Sequence, residues 1–185
     1  MVILGAADGA LALVVSPESP PFDEVYRTHA TRVYRYCLSQ VGNPIDAEDL
    51  TAEVFASAFA AYPAARLADG VVLPWLLRIA RNEVIDHRRR RTRRSALLTR
   101  FFGGGSEVDH AVDVESEVVL RDELRQVLAA MGQLSERDRA LIGLRLAAGL
   151  PYAEIGEVVG ISEHAATVAT QRALQRLRVR LGVTR

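Results

Sequence analysis

Apolar residues recur at helical spacing through most of this chain. Phe22, Val25, Tyr26, Val33, Tyr34, Cys37, Leu38 and Val41 follow a period near 3.6, which predicts a helix with one face turned to a core. Gly42-Asn43-Pro44 ends it. Pro44 suits the first turn of a second helix, whose N-terminal end carries Asp46, Glu48 and Asp49. That helix is expected to run to about Tyr62, with Leu50, Val54, Phe55, Ala58 and Phe59 facing inward. Pro63 to Gly70 reads as a break, and a third helix as starting near Leu73-Pro74. Three helices of this length can bury one shared core.

Residues 99–116, with Phe101-Phe102-Gly-Gly-Gly-Ser106 followed by acids, read as a flexible linker. The helical pattern resumes near Ser116, where Val119, Leu120, Leu124, Val127, Leu128 and Met131 form one stripe. Ser135-x-x-Asp138 resembles a capping box ahead of a helix over 136–147. Gly149-Leu-Pro151 then opens a helix-turn-helix pattern reaching Arg178. In it Gly156 is small where two helices must cross, and Gly160 sits in the turn, where positive φ is wanted. Ile155, Val159, Ile161, Ala166 and Ala173 supply the buried wedge. The expected fold is all-α: two small helical domains joined by a flexible linker, the second a helix-turn-helix. The division is 1–21 as a disordered tail, 22–95 and 116–185 as domains, and 96–115 as the linker.

Composition supports helix and narrows the chemistry. Strand-like runs are hard to find, and alanine, leucine and arginine dominate. All 23 basic residues are arginine, a bias that fits a GC-rich genome, although arginine also suits phosphate and base edges. Cys37 is the single cysteine, so intrachain disulfides and cysteine metal clusters are excluded, and its apolar neighbours suggest an inert buried thiol. His29, His87, His110 and His164 show no ligand spacing. Residues 1–15 are apolar but lack a basic flank and are too short to span a membrane, so a cytoplasmic protein is expected.

The net charge of zero hides segregation. Between Arg78 and Arg100 stand nine arginines against Glu83 and Asp86, while residues 107–123 hold seven acids against Arg121. From His164 onward there are five arginines and no acid. Such blocks fit a protein that binds a polyanion, most plausibly nucleic acid, and can mask one another when idle. On that hypothesis, deleting the acidic stretch changes DNA affinity. Trp75, Arg78, Arg81 and Asn82 are spaced to present one edge able to hold a strand backbone or a flipped base. Arg88 to Arg91 would neutralise phosphates. Asp46, Glu48, Asp49 and Glu53 put carboxylates on one side of a helix, where they would orient a basic partner. With no histidine or further polar constellation nearby, an acid/base or metal site is the weaker reading of that cluster.

Three blocks, in order, resemble the extracytoplasmic-function (ECF) sigma factors of bacterial RNA polymerase, in the sigma-70 family, over about residues 22–182. Asp46-Ala-Glu-Asp-Leu-Thr-Ala-Glu-Val-Phe55 resembles the core-polymerase-binding helix. Trp75-Leu-Leu-Arg-Ile-Ala-Arg-Asn-Glu-Val-Ile-Asp-His-Arg-Arg-Arg90 resembles the helix that opens and reads the −10 promoter element. Leu150-Pro-Tyr-Ala-Glu-Ile-Gly-Glu-Val-Val-Gly-Ile-Ser-Glu163, with the helix after it, resembles the motif that reads the −35 element. The resemblance implies polymerase contacts from Asp46, Glu48, Asp49, Leu50, Glu53 and Phe55. It implies −10 contacts from Trp75, Arg78, Arg81, Asn82, Asp86, Arg88, Arg89 and Arg90. For the −35 element it implies Ser162, Glu163, His164, Thr167, Val168, Gln171, Arg172 and Arg176. It further implies an anti-sigma factor as regulator, no cofactor, no metal, no membrane insertion and no enzymatic activity.

One departure stands out. Family members usually follow the turn with Gly-Thr-Val, a basic residue, Ser and Arg, where this chain has His164-Ala165-Ala166-Thr167-Val168-Ala169. Two basic positions are lost and a smaller wedge is present, so the −35 contact is expected to be weaker or differently specified. Two other readings stay open on the residues alone: a stand-alone helix-turn-helix regulator, and a degenerate sigma-like interaction protein.

Overall fold

The structure is a computed structural model that describes residues 19–65, 67, 69–102 and 122–183. The expected tail over 1–18 and most of the expected linker and acidic stretch, 103–121, lie outside the described residues. Helices α1 (Phe22–Val41), α2 (Pro44–Ala65) and α3 (Asp69–Phe102) form an N-terminal unit. Helices α4 (Asp122–Gly132), α5 (Glu136–Ile142), α6 (Tyr152–Val159) and α7 (Glu163–Arg180) form a C-terminal one. Between α5 and α6, Gly143–Ala147 winds as a π-helical turn. No strand occurs among the described residues.

The break between α1 and α2 follows from its residues. Gly42 takes φ +74° and returns its N–H to the Leu38 carbonyl, closing α1 with a left-handed cap. Asn43 Oδ1 then accepts from the N–H groups of Ile45 (2.8 Å) and Asp46 (3.2 Å), capping α2 with Pro44 in its first turn. The second break is shorter than Pro63 to Gly70. α2 continues through Pro63 to Ala65, and α3 begins at Asp69, with Pro74 within its opening turns. Each proline removes one backbone N–H donor; Pro63 does so in the last turn of α2, and Pro74 in the second turn of α3, where it is buried. α3 also continues to Phe102, through the first residues of the expected linker.

Two apolar clusters hold the chain together. The smaller one belongs to the C-terminal unit: Ala130, Met131, Leu134, Ile142, Ala173 and Leu177, joined by Leu174 and Leu181. The larger one runs through both units. It contains Val33, Tyr36, Leu50, Leu76 and Leu77 from the first, and Leu128, Leu144, Leu150 and Ile155 from the second. α1 packs on α4, α5 and the π turn, while α3 packs on α6. The shared core expected for three helices is therefore shared with the helix-turn-helix unit as well. The stripe expected on α4 is narrower than its sequence suggests: Leu128 and Met131 are buried, but Leu124 and Val127 stay exposed.

A buried arginine braces the C-terminal unit. Arg139 is 5% exposed and donates from Nη1 to the Gly132 carbonyl at 3.1 Å, at the C-terminal end of α4. Burial lowers its guanidinium to about 10, which leaves it charged at neutral pH, where a helix C-terminus favours a cation.

Candidate nucleic-acid interface

Several of the α3 residues singled out by sequence lie beside the C-terminal unit, at two places: Trp75 and the exposed Arg78 at one, Arg81 and Arg88 at the other. Trp75 is half-buried, its ring 6.0 Å from that of Tyr62, and with Arg78 it lines a cleft completed by Glu157 and Val158 of α6. Arg81 and Arg88 line a cavity of about 500 Å³ with Tyr36, Gln40, Glu136 and Arg137. Arg88 donates to the Gln40 carbonyl at 2.7 Å and stands 3.4 Å from the Glu136 carboxylate. Tyr36 is fully buried beside them, its hydroxyl without a hydrogen-bond partner. Burial raises its phenol well above the ordinary range, so it stays neutral.

Asn82, Asp86, Arg89 and Arg90 are exposed, Asn82 and Asp86 continuing at i, i+4 spacing the face that carries Arg78. Asp86 pairs with Arg89 at 3.7 Å, and Arg90 with Glu53 of α2 at 2.7 Å. Arg91 and His87 both approach Asp46, at 3.6 and 3.9 Å. The carboxylates of α2 and the arginines of α3 thus neutralise one another across adjacent helices, a pairing that linear spacing does not reveal.

On α2, Glu48, Asp49 and Glu53 are exposed, and Asp46 is half-buried. Leu50 and Phe55 correct the expectation: they are 1% and 5% exposed and belong to the core. Phe55 meets the rings of Phe22 and Tyr26 edge-on, at 6.3 and 4.7 Å. Neither offers a partner any surface. The apolar surface on α2 comes instead from Ile45 and Phe59, 54% and 64% exposed, although Phe59 was expected inside. Alanines all round α2 blur its apolar periodicity, and large apolar residues beside the acids were the available signal. Tyr26, expected on the inner face of α1, is also exposed. Cys37 is buried, and burial pushes its thiol up to about 12, so the inert reading holds.

α6 and α7 form the helix-turn-helix. A Cβ on Gly156 would lie 2.6 Å from the Ile161 carbonyl oxygen, so only glycine lets the turn pass this close. Gly160 adopts φ +76° and donates to the Gly156 carbonyl at 2.8 Å. Ser162 is the α7 cap, its Oγ accepting from the Ala165 N–H at 3.2 Å, which gives that side chain a structural task. Thr167 Oγ1 donates to the Glu163 carbonyl at 3.0 Å. Ala166, Thr170, Ala173 and Leu177 are buried, while Glu163, His164, Gln171 and Arg172 are exposed and Val168 is half-buried. Arg176 is held by both carboxylate oxygens of Asp138, at 2.9 and 3.0 Å. His164, Gln171 and Arg172 are therefore exposed, and His164, Val168 and Arg172 line a groove with α5 that Gln171 does not enter.

Among the described residues, no group of histidine, cysteine and carboxylate side chains could hold a metal ion, and no helix is long and apolar enough to cross a membrane.

A three-helix unit with an arginine-rich helix is joined to a capped helix-turn-helix. Residues 25–94 match the sigma-70 region 2 model, and residues 124–177 match the sigma-70 region 4 model. The chain is 31% identical over 160 residues to the ECF RNA polymerase sigma factor SigM of Bacillus subtilis, a match taking in 84% of this chain and 92% of that protein. It is 34% identical over 161 residues to the ECF sigma factor SigE of Mycolicibacterium smegmatis, taking in 86% of this chain and 61% of that relative. The chain therefore spans about three-fifths of SigE. A solved sigma factor, RpoE in complex with the anti-sigma factor NepR from Bartonella quintana, has the same fold: TM-score 0.71 at 23% identity, over 89% of this chain and 98% of that one. The chain belongs to the ECF sigma factors of the sigma-70 family.

Proposed function

We propose that this chain is a sigma subunit that binds core RNA polymerase and directs it to promoters. The observation that carries the reading is that one chain joins an arginine-rich helix, suited to holding a strand, to a helix-turn-helix, suited to reading duplex. Neither a stand-alone regulator nor an enzyme calls for both. The N-terminal domain, 22–95, would bind polymerase through Glu48, Asp49 and Glu53, with Ile45 and Phe59 supplying the apolar contact. α3 would then take the non-template strand of the −10 element, Arg88 to Arg91 neutralising phosphates and Arg78, Arg81 and Asn82 holding the opened strand.

The C-terminal domain, 116–185, would lay α7 in the major groove of the −35 element. There Gln171 is suited to adenine, and Arg172 to phosphate or guanine. Binding energy opens the duplex and the polymerase performs the catalysis, so the chain needs no covalent chemistry of its own. An anti-sigma factor, of the kind that RpoE is bound to, would regulate it, and its place of work would be the cytoplasm.

Co-elution of the purified chain with core polymerase on gel filtration tests the reading. Stoichiometric binding that Asp49→Arg abolishes is the expected result. Absence of binding by the unaltered chain, together with dimeric binding to palindromic duplex, would instead establish a stand-alone regulator.

A further inference from the structure

The cavity of about 500 Å³ beside α3 carries more positive charge on its walls than the fold neutralises. Arg81, Arg88 and Arg137 line it against a single carboxylate, that of Glu136. Arg88 is committed, to the Gln40 carbonyl at 2.7 Å and to Glu136 at 3.4 Å. Arg81 and Arg137 have no acidic side chain within ion-pair distance among the described residues. A further guanidinium stands close by: the charge of Arg88 acts after burial in holding Arg139 down at about 10, and Arg139 Nε is buried without a partner. Tyr36 lines the cavity too, and its hydroxyl is likewise buried and unpartnered. Such groups cost stability until something supplies their missing bonds.

The rest of the wall is apolar, with Val84 and Ile85 of α3, Val159 of α6 and Ile161 of the turn. Close packing holds these walls in place. At Gly143 an added Cβ would lie 2.5 Å from both Gln40 Nε2 and Ser39 Oγ of α1. Gln40 Nε2 donates to the Arg139 carbonyl at 3.1 Å. These contacts seat α5 on α1, and with it the wall that carries Glu136, Arg137 and Ala140.

Volume and lining select a class of ligand. Small-molecule sites are typically roughly 300–1,000 Å³, with apolar walls and a few convergent polar groups. Guanidinium forks match pairs of phosphate oxygens. The excess of two positive charges on the walls matches a phosphate monoester, which carries about −1.5 to −2 at neutral pH. The Glu136 side chain is 66% exposed, so a phosphate can replace it on Arg88 by turning it out to water. A bare anion would leave the apolar wall uncovered, whereas a nucleoside body covers it.

We propose that this cavity binds a free nucleoside monophosphate, its phosphate held by Arg81, Arg88 and Arg137 and its base laid against Ile85, Val159 and Ile161. Arg81 and Arg88 cannot hold this ligand and a DNA strand at once. The site therefore makes strand binding answer to a small metabolite, a consequence that rests on the role proposed for α3.

Isothermal titration calorimetry of the full chain with the four common ribonucleoside 5′-monophosphates tests the site. The parent nucleosides, inorganic phosphate and a mixed-sequence single strand of DNA are titrated for comparison. At least one mononucleotide is expected to bind one to one, about tenfold more tightly than its nucleoside or inorganic phosphate. Arg81→Gln and Arg137→Gln should each weaken it about tenfold, the factor for one lost charge-assisted hydrogen bond. Circular dichroism confirms that both variants are folded. Arg137 takes no part in the promoter contacts proposed above, so its variant should lose the mononucleotide and keep the strand.

Strand binding with no mononucleotide binding would overturn the site while leaving promoter reading intact. Mononucleotide binding that both variants leave unchanged, or that inorganic phosphate equals, would overturn it as well. Mononucleotide binding that depends on both arginines, with no strand binding, would uphold the site and remove the role of α3.

Discussion

Arg90 of α3 and Glu53 of α2 are joined across 2.7 Å, with side chains 57% and 44% exposed. The pair links the surface proposed for polymerase to the surface proposed for DNA. An ion pair this exposed contributes little to stability, at most about 1 kcal/mol. Its effect is on how much positive charge α3 offers a strand. Glu53→Gln is expected to leave the denaturation midpoint nearly unchanged. It should steepen the salt dependence of single-strand binding by about 0.7 in log–log slope, as one further phosphate contact becomes available. Fluorescence anisotropy over a salt series measures both slope and affinity.

Gly156→Ala tests the helix-turn-helix packing. The new methyl would press on the Ile161 carbonyl, a backbone atom at 2.6 Å with no side-chain freedom to retreat. A loss of about 2 kcal/mol is expected, within the range for overpacked sites, read by urea denaturation. Duplex binding should weaken with it.

His29 should make the fold sensitive to mild acid. Burial first, and then the charge of Arg32, hold its imidazole below the ordinary 6.5, and its Nδ1 is buried without a partner. Between that lowered value and 6.5, the unfolded chain binds more protons than the folded one. Stability is therefore fully present above 6.5 and declines as pH falls through this window. The melting temperature is expected to drop on acidification from neutral pH, and the His29→Gln profile should be flatter over the same interval.

Gln171 and Arg172 should separate base reading from phosphate contact. Gln171→Ala is expected to lower affinity for the preferred duplex while leaving other sequences unchanged, costing about 1–3 kcal/mol of discrimination. Arg172→Ala, if that guanidinium meets phosphate, should weaken all duplexes alike and reduce the salt slope by about 0.9. Binding selection on a randomised duplex pool compares the two.

The helix-turn-helix was legible because each of its devices is local. Gly156, Gly160 and Ser162 each act on atoms within six residues, so their spacing carries the geometry. The arginine run was legible for the same reason, being contiguous. The register of α2 was not: with alanine at 47, 52, 56, 58, 60 and 61, several faces look equally apolar, and Leu50 and Phe55 differ from Ile45 and Phe59 only in what packs beside them. The pairings of Arg90 with Glu53 and of Arg88 with Glu136 join residues far apart in the chain and depend on how helices dock. The approach of Gly143 to α1 belongs to that level too, since nothing local marks it as an interface glycine.

Run-off transcription tests the central claim most directly. Purified core polymerase is supplied with upstream fragments of the source genome, with and without this chain. Discrete transcripts that require the chain, and that disappear with Asp49→Arg or Arg81→Ala, are the expected result. Stable binding to core polymerase with no new transcript from any fragment would contradict it, leaving a protein that holds the polymerase without reading promoters.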